Sequence, residues 1–231
     1  MTTMTTIVPC RPAAVLWDMD GTLADTEPYW VAAEYRLVRA HGGTWSDEHA
    51  EALVGNPLDV SAHYIRQHAG IDLPVPQIVQ GLLLDVVDRL REEVPWMPGA
   101  TELLERLRSA GIPCALVTMS YRSLTAPVVN ALPPGSFATV VSGEEVTCGK
   151  PDPEPYLTAA ARLGVDPAAC VAIEDSRPGT ASARAAGTGV LRVQQRISLP
   201  ATPGLRVVPS LEGIGLEDLQ ALLPPCPACP G

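Results

Sequence analysis

Two aspartates, Asp18 and Asp20, follow a short apolar run, and Gly21 comes directly after them. Such a run, closed by a turn residue, is typical of a buried parallel strand, and ligands bind beyond the carboxyl ends of such strands. Side chains two residues apart on a strand point the same way, so both carboxylates should face one site while Met19 turns back into the core. One could act as a nucleophile and the other as a general acid and base. The alternative is a turn with two solvated acids.

Polar side chains also follow three later strand-like segments. They are Thr118, Met119 and Ser120, then Lys150 after a loop, then Glu174, Asp175 and Ser176. Hydroxyls and nearby backbone N–H groups can hold phosphate oxygens, and a lysine supplies a fixed positive charge. Taken singly, these residues have ordinary explanations: a turn threonine, a solvated lysine and a helix N-cap. Taken together, each at a strand end, they predict a site for phosphoryl transfer.

The charge balance of this site predicts a metal ion. The site has four carboxylates and one lysine, so its net negative charge would repel a phosphate dianion. The carboxylates are those of Asp18, Asp20, Glu174 and Asp175. Mg²⁺ is a hard cation that binds carboxylate and water oxygens. An ion that bridges Asp18, Asp175 and the substrate would offset the repulsion, so Mg²⁺ is the predicted cofactor.

The segments that position these residues alternate between strand and helix. After the first strand, the patterns predict strands at 113–117, 137–141, 170–173 and 190–193, and helices at 101–110, 123–132, 153–163, 178–186 and 216–223. Such alternation indicates an α/β fold, a parallel sheet with helices on both faces.

Residues 27–94 show a different pattern, with apolar residues at helical spacing and no strand-like runs. The pattern predicts four helices, from 27 to a stop at 41–43, from the N-cap Ser46 to 53, at 59–68 and at 77–93. Residues 95–99 contain proline and glycine and are typical of a hinge. We therefore predict an all-helical insertion between the first strand and the alternating region.

Composition limits the classes of function. The chain has 231 residues, 46% of them hydrophobic, which is enough for one domain with a sizeable insertion. A formal net charge of −10 argues against a broad basic face for nucleic acid or anionic membrane. No apolar run approaches the roughly 20 residues of a membrane span. We expect a cytoplasmic protein whose partners are small molecules.

The six cysteines are scattered along the chain and are expected to be thiols. Cys226 and Cys229 have the spacing of half a zinc site or a redox pair, but no second pair lies nearby. We expect residues 224–231 to form a disordered tail, although a thiol or zinc function there is an alternative.

The four polar segments resemble the motifs of the haloacid dehalogenase superfamily of phosphatases and phosphomutases. They are Asp-Met-Asp-Gly-Thr at 18–22, Val-Thr-Met-Ser at 117–120, Gly-Lys-Pro-Asp-Pro at 149–153 and Ile-Glu-Asp-Ser at 173–176. The likeness runs from about residue 15 to residue 193. It implies a Rossmann-like core of residues 1–26 and 95–231 and a helical cap domain, residues 27–94, that closes over the site.

The same resemblance implies roles for single residues. Asp18 would be the nucleophile that forms an aspartyl-phosphate, and Asp20 would protonate the leaving oxygen and then activate water. Thr118 and Lys150 would hold the phosphoryl group. The implied magnesium ligands are Asp18, the Asp20 backbone carbonyl, Asp175 and Glu174, the last nearby or through water. The candidate substrate contacts are Met19, Met119, Ser120 and Asn56 of the cap.

Within the superfamily, Asp20 disfavours the dehalogenases, which need no acid for a leaving oxygen. Residues 18–30 resemble phosphatases of sugar and polyol phosphates, so hydrolysis of a small phosphorylated metabolite is the predicted function. The alternative is a mutase similar to beta-phosphoglucomutase, whose pattern has histidine in place of Trp30 and arginine in place of Leu58. An inactive member that serves as a binding module is a further alternative. We expect a monomer or a weak homodimer.

Overall fold

The computed structural model describes residues 11–194 and 205–224. Cys10, Cys226 and Cys229 lie outside the described residues, as does the predicted tail from residue 225 onward. Cys114, Cys148 and Cys170 are free thiols, as predicted for them.

A six-stranded parallel sheet, in the order β3-β2-β1-β4-β5-β6, organises the described residues. The strands are β1 (Ala14–Trp17), β2 (Cys114–Val117), β3 (Thr139–Val141), β4 (Cys170–Glu174), β5 (Gly189–Val193) and β6 (Arg206–Val208). The central strand β1 is fully buried because helices cover both faces of the sheet. The sequence did not predict β6, a three-residue edge strand too short to show a period.

The described residues contain nine α-helices, of which the first four form the insertion. They are α1 (Glu27–Ala40), α2 (Asp47–Glu51), α3 (Leu58–His68), α4 (Val75–Glu92), α5 (Ala100–Ser109), α6 (Arg122–Asn130), α7 (Glu154–Leu163), α8 (Arg177–Ala185) and α9 (Leu216–Gln220). Each corresponds to a predicted helix, with ends that differ by at most about three residues. The predicted α/β fold class is confirmed.

Alternation along β1 divides the core between the two faces of the sheet. Val15 and Trp17 pack on the side that carries α5 and α6, and this apolar cluster continues into α1–α4. Ala14 and Leu16 pack on the other side, with Tyr156 of α7. The sheet and the helices on its two faces therefore fix the direction in which β1 presents Asp18.

Two chain segments join the helical insertion, α1–α4, to the sheet, and they pair with each other. The Asp25 N–H donates to the Pro95 carbonyl at 2.8 Å, and the Met97 N–H donates to the Leu23 carbonyl at 3.0 Å. Pro95 and Met97 belong to residues 95–99, the segment predicted as a hinge. Because the two segments are hydrogen-bonded side by side, a movement of the insertion must turn both together.

None of the helices in the described part of the chain is both long and apolar enough to cross a membrane.

Glu34 of α1 is a buried carboxyl group inside the helical insertion. It is 5% exposed, and its Oε2 accepts a hydrogen bond from Trp45 Nε1 at 3.2 Å. Burial raises the pKa of Glu34 to about 7, although the indole hydrogen bond acts in the opposite direction. The folded protein therefore keeps a proton at Glu34 over a pH range in which the unfolded chain has lost it.

We expect this one residue to make stability depend on pH. Its contribution is fully present below the ordinary glutamate pKa and is lost as the pH rises through 7, by up to about 3 kcal/mol. Glu34→Gln keeps an acceptor for Trp45 and should flatten the decline. Urea unfolding at pH 5 and pH 8 measures it, with Glu51→Gln on the exposed side of α2 as control. An unchanged pH slope in Glu34→Gln would contradict the assignment.

Candidate active site

The carboxyl ends of three strands bring the predicted polar residues together at one edge of the sheet. Asp18 follows β1, Thr118 follows β2, and Glu174 ends β4. The Asp18 N–H donates to the Ile173 carbonyl at 3.0 Å, which extends the β1–β4 pairing to the aspartate itself. Lys150 enters from the loop before α7.

Lys150 donates three hydrogen bonds at the centre of the site. Its Nζ lies 2.6 Å from Asp18 Oδ1, 2.6 Å from Glu174 Oε1 and 2.9 Å from the Val117 carbonyl oxygen. These contacts use all the N–H donors of an ammonium group. The side chain is only 6% exposed. Burial alone would lower the pKa of Lys150, but the two carboxylates outweigh it and raise the pKa above its ordinary value.

Asp18, Glu174 and Asp175 form a buried group of carboxylates. One oxygen from each lies within 4.8 Å of the others, an arrangement that could hold a metal ion. Burial raises the pKa of Asp18 well above its ordinary range, Glu174 and Asp175 raise it further, and Lys150 lowers it. Gly21, at a φ of +80°, allows the Asp175 carboxylate to lie against the backbone that follows Asp20, because a Cβ at Gly21 would lie 2.1 Å from Asp175 Oδ2.

Glu174 is held by donors on both of its oxygens. Oε2 accepts from the Asp175 N–H at 3.1 Å, the Ser176 N–H at 3.2 Å and Ser176 Oγ at 3.0 Å. A Cβ at Gly179 would lie 1.8 Å from Oε1, so the carboxylate rests on the first turn of α8. The amino end of a helix favours negative charge. Ser176 also caps α8, since its Oγ accepts from the Gly179 N–H at 3.1 Å.

Asp20 has a different environment from Asp18. Its Oδ1 accepts from Thr26 Oγ1 at 2.6 Å, and its Oδ2 accepts from Ser120 Oγ at 2.7 Å and from Thr118 Oγ1 at 3.3 Å. It is partly exposed and is surrounded by hydroxyls, whereas Asp18 is buried against an ammonium group. Two carboxylates in contrasting environments suit two different chemical roles.

Sequence reasoning missed two residues of the site, Thr26 and Tyr156. Thr26 stands where α1 begins, and a threonine at a helix start is expected whether or not it reaches a distant side chain. Tyr156 was one residue of a predicted helix. Its only signal was a polar hydroxyl among the apolar residues of α7, since a buried tyrosine hydroxyl needs a partner.

The four candidate substrate contacts differ in exposure and in hydrogen-bond partners. The Met19 side chain is fully buried, as the strand pattern predicted, which leaves only its backbone to meet a substrate. Met119 is partly exposed, and its Sδ accepts from the Lys150 N–H at 3.4 Å, so it supports the lysine loop. Ser120 binds Asp20, as described above. Asn56 is exposed and donates to the Ala52 carbonyl at 2.9 Å, and it makes no hydrogen bond to the described residues of the site.

Comparison with known proteins identifies the family. The hydrolase family described as haloacid dehalogenase-like hydrolase matches residues 12–187. The chain belongs to this family. Protein CbbY of Rhodobacter capsulatus is 34% identical over 201 residues, which are 77% of this chain and 83% of that protein. Hexitol phosphatase B of Escherichia coli K12 is 32% identical over 183 residues, which are 77% of this chain and 82% of that protein.

A solved structure shows the same fold. CbbY from Rhodobacter sphaeroides, in complex with phosphate, is 27% identical with a TM-score of 0.78, covering 90% of this chain and 99% of that chain. Structures that share the fold also include a beta-phosphoglucomutase. Together the matches confirm the predictions of family, fold class and phosphatase activity.

Proposed function

We propose that the protein is a Mg²⁺-dependent phosphatase that hydrolyses a sugar or polyol phosphate through an aspartyl-phosphate. The observation that carries this proposal is the buried Lys150 ammonium bound to Asp18, with Asp20 held nearby by hydroxyls. The substrate class is supported by similarity to a protein named as a hexitol phosphatase.

In the first step, an oxygen of Asp18 attacks phosphorus and the bond to the ester oxygen breaks. The leaving oxygen takes a proton from the carboxyl group of Asp20, which its three hydroxyl partners hold in place. Lys150 keeps Asp18 oriented and favours its ionised form, opposing the burial that raises the Asp18 pKa, and it would exchange one of its present acceptors for a phosphoryl oxygen. Thr118 would hold a second phosphoryl oxygen.

In the second step, water attacks the phosphorus of the aspartyl-phosphate. The Asp20 carboxylate takes a proton from this water, the bond between phosphorus and the Asp18 oxygen breaks, and inorganic phosphate leaves. The same aspartate thus serves first as acid and then as base. Asp18 and Asp20 both return to their starting protonation states.

The residues of the site fit Mg²⁺. The carboxylate oxygens of Asp18, Glu174 and Asp175 lie close together and buried, and they are hard donors of the kind that Mg²⁺ binds. Asp18, Asp175 and the Asp20 carbonyl would hold the ion, with Glu174 nearby or through water. When bound, the ion neutralises charge on the phosphoryl oxygens.

We also propose that residues 27–94 act as a cap on a core made of residues 1–26 and 95–231. The hydrogen bond from Thr26, at the start of α1, to Asp20 supports a connection between the insertion and the site. A cytoplasmic location and a monomer or weak homodimer remain predictions from the sequence.

Removal of Mg²⁺ should reduce hydrolysis of para-nitrophenyl phosphate to background, because the buried carboxylates would then repel the substrate. Activity with EDTA and after Mg²⁺ is restored measures the effect. Added Mg²⁺ should also raise the thermal midpoint of the metal-free protein. Full turnover in EDTA would contradict the proposal.

A product assay separates hydrolysis from isomerisation. Beta-glucose 1-phosphate is supplied with a trace of glucose 1,6-bisphosphate and Mg²⁺, and both glucose 6-phosphate and free phosphate are followed. We expect free phosphate from a panel of sugar and polyol phosphates. Glucose 6-phosphate formed much faster than free phosphate is released from any panel member would instead favour the mutase.

A further inference from the structure

Tyr156 of α7 is fully buried, and its hydroxyl reaches the carboxylate group of the site. The hydroxyl donates to Glu174 Oε1 at 2.7 Å, and this same oxygen accepts from Lys150 Nζ. Lys150 Nζ also lies 5.1 Å from the centroid of the Tyr156 ring, within the range of a cation–π contact. Tyr156 therefore contacts the ammonium with its ring and the carboxylate that anchors this ammonium with its hydroxyl.

Packing alone does not require the hydroxyl. The other buried residues of α7 are apolar: Pro155, Ala159 and Ala160. A phenylalanine at position 156 would fill the space of the ring without burying a polar group. A buried hydroxyl is costly unless it is hydrogen-bonded, and the partner here is Glu174. The hydroxyl of Tyr156 is therefore explained by its hydrogen bond to the site, and not by packing of the core.

The two oxygens of Glu174 differ in how they are fixed. Oε2 accepts from Asp175 and Ser176, which follow Glu174 directly in the chain and hold the oxygen locally. Oε1 accepts from Lys150 and Tyr156. Without the Tyr156 hydroxyl, Lys150 would be the remaining hydrogen-bond donor to Oε1. Glu174 Oε1 would then have no donor independent of the ammonium group that it positions.

We propose that Tyr156 is a positioning residue: it fixes Glu174 Oε1 and, through Glu174, the Lys150 ammonium beside Asp18. The inference rests on the proposed function, in which Lys150 orients Asp18 and contacts the phosphoryl group. It assigns Tyr156 no contact with the substrate.

Tyr156→Phe removes the hydroxyl and keeps the ring. We expect kcat on para-nitrophenyl phosphate to fall about tenfold or more, with the affinity for Mg²⁺ about tenfold weaker by calorimetry. KM should change little, because the fixed ammonium matters most in the transition state. The matched control is Tyr35→Phe, which removes a similar bond, 2.6 Å to Asp47, on the exposed surface of the insertion. It should leave kcat and Mg²⁺ affinity unchanged.

A double-variant cycle tests whether Tyr156 acts through Glu174. In a Glu174→Gln background, Tyr156→Phe should cost less than about twofold in kcat, because the carboxylate that it positions is already absent. A tenfold loss in both backgrounds would overturn the inference, as would wild-type kcat and Mg²⁺ affinity in Tyr156→Phe. A Phe variant that does not fold would show a structural role and would overturn it as well.

The same measurements separate this inference from the proposed function. A wild-type protein without Mg²⁺-dependent turnover would refute the proposed function. Calorimetry would then decide on Tyr156, since weaker Mg²⁺ binding in Tyr156→Phe still reports a displaced Glu174. Equal Mg²⁺ affinity in the two proteins would overturn the inference.

Discussion

Asp18→Asn should leave a folded protein whose turnover is at least about a thousandfold lower. The substitution preserves the size of the side chain but replaces the carboxylate that would attack phosphorus. It also removes one negative charge from a buried group that contains Glu174 and Asp175, so the fold should be retained. Steady-state hydrolysis of para-nitrophenyl phosphate and the urea midpoint without metal measure the two effects.

The control for Asp18→Asn is Asp72→Asn, the same change at an exposed position between α3 and α4. It should alter neither turnover nor the urea midpoint. Substantial turnover in Asp18→Asn would rule out Asp18 as the covalent nucleophile. Loss of folding in Asp18→Asn would instead show that the Asp18 carboxylate is needed to neutralise Lys150.

Lys150→Met should abolish turnover and also lower the free energy of unfolding by about 3–5 kcal/mol. The ammonium contacts Asp18 and Glu174 in a site almost closed to solvent, and its loss leaves their charges buried and uncompensated. Met fills a similar volume, so the effect reports charge more than packing. Urea unfolding in EDTA, with and without a later addition of Mg²⁺, measures it, and Mg²⁺ should restore part of the stability.

The matched control is Arg108→Met, which removes an ion pair with Glu105 on the exposed surface of α5. It should change stability little, because solvent screens exposed pairs and side-chain entropy opposes them. If Lys150→Met costs no more than Arg108→Met, the Lys150 contacts do not stabilise the protein. Combining Lys150→Met with Asp18→Asn should recover stability, since the second change removes one of the uncompensated charges.

The sequence pattern was sufficient to predict five of the six strands and the edge of the sheet at which Asp18, Thr118 and Glu174 meet. An apolar run of four or five residues between turn residues has few alternatives to a buried strand, and parallel strands place their carboxyl ends together. The polar residues that follow these strands must therefore lie close together, as a consequence of backbone geometry. The edge strand β6 was not predicted, because the three residues Arg206–Val208 are too few to show a strand pattern.

The hydrogen-bond partners of the site's side chains, in contrast, depend on how the elements pack in three dimensions. Tyr156 lies in α7, which packs against β1, β2 and β3, and its hydroxyl reaches Glu174. Thr26 directly precedes α1, and its hydroxyl reaches Asp20. Asn56, predicted as a substrate contact, lies exposed in a loop of the insertion. A strand pattern depends on neighbours along the chain. A hydrogen bond between distant side chains depends on differences in their positions of less than about an ångström, which residue spacing does not encode.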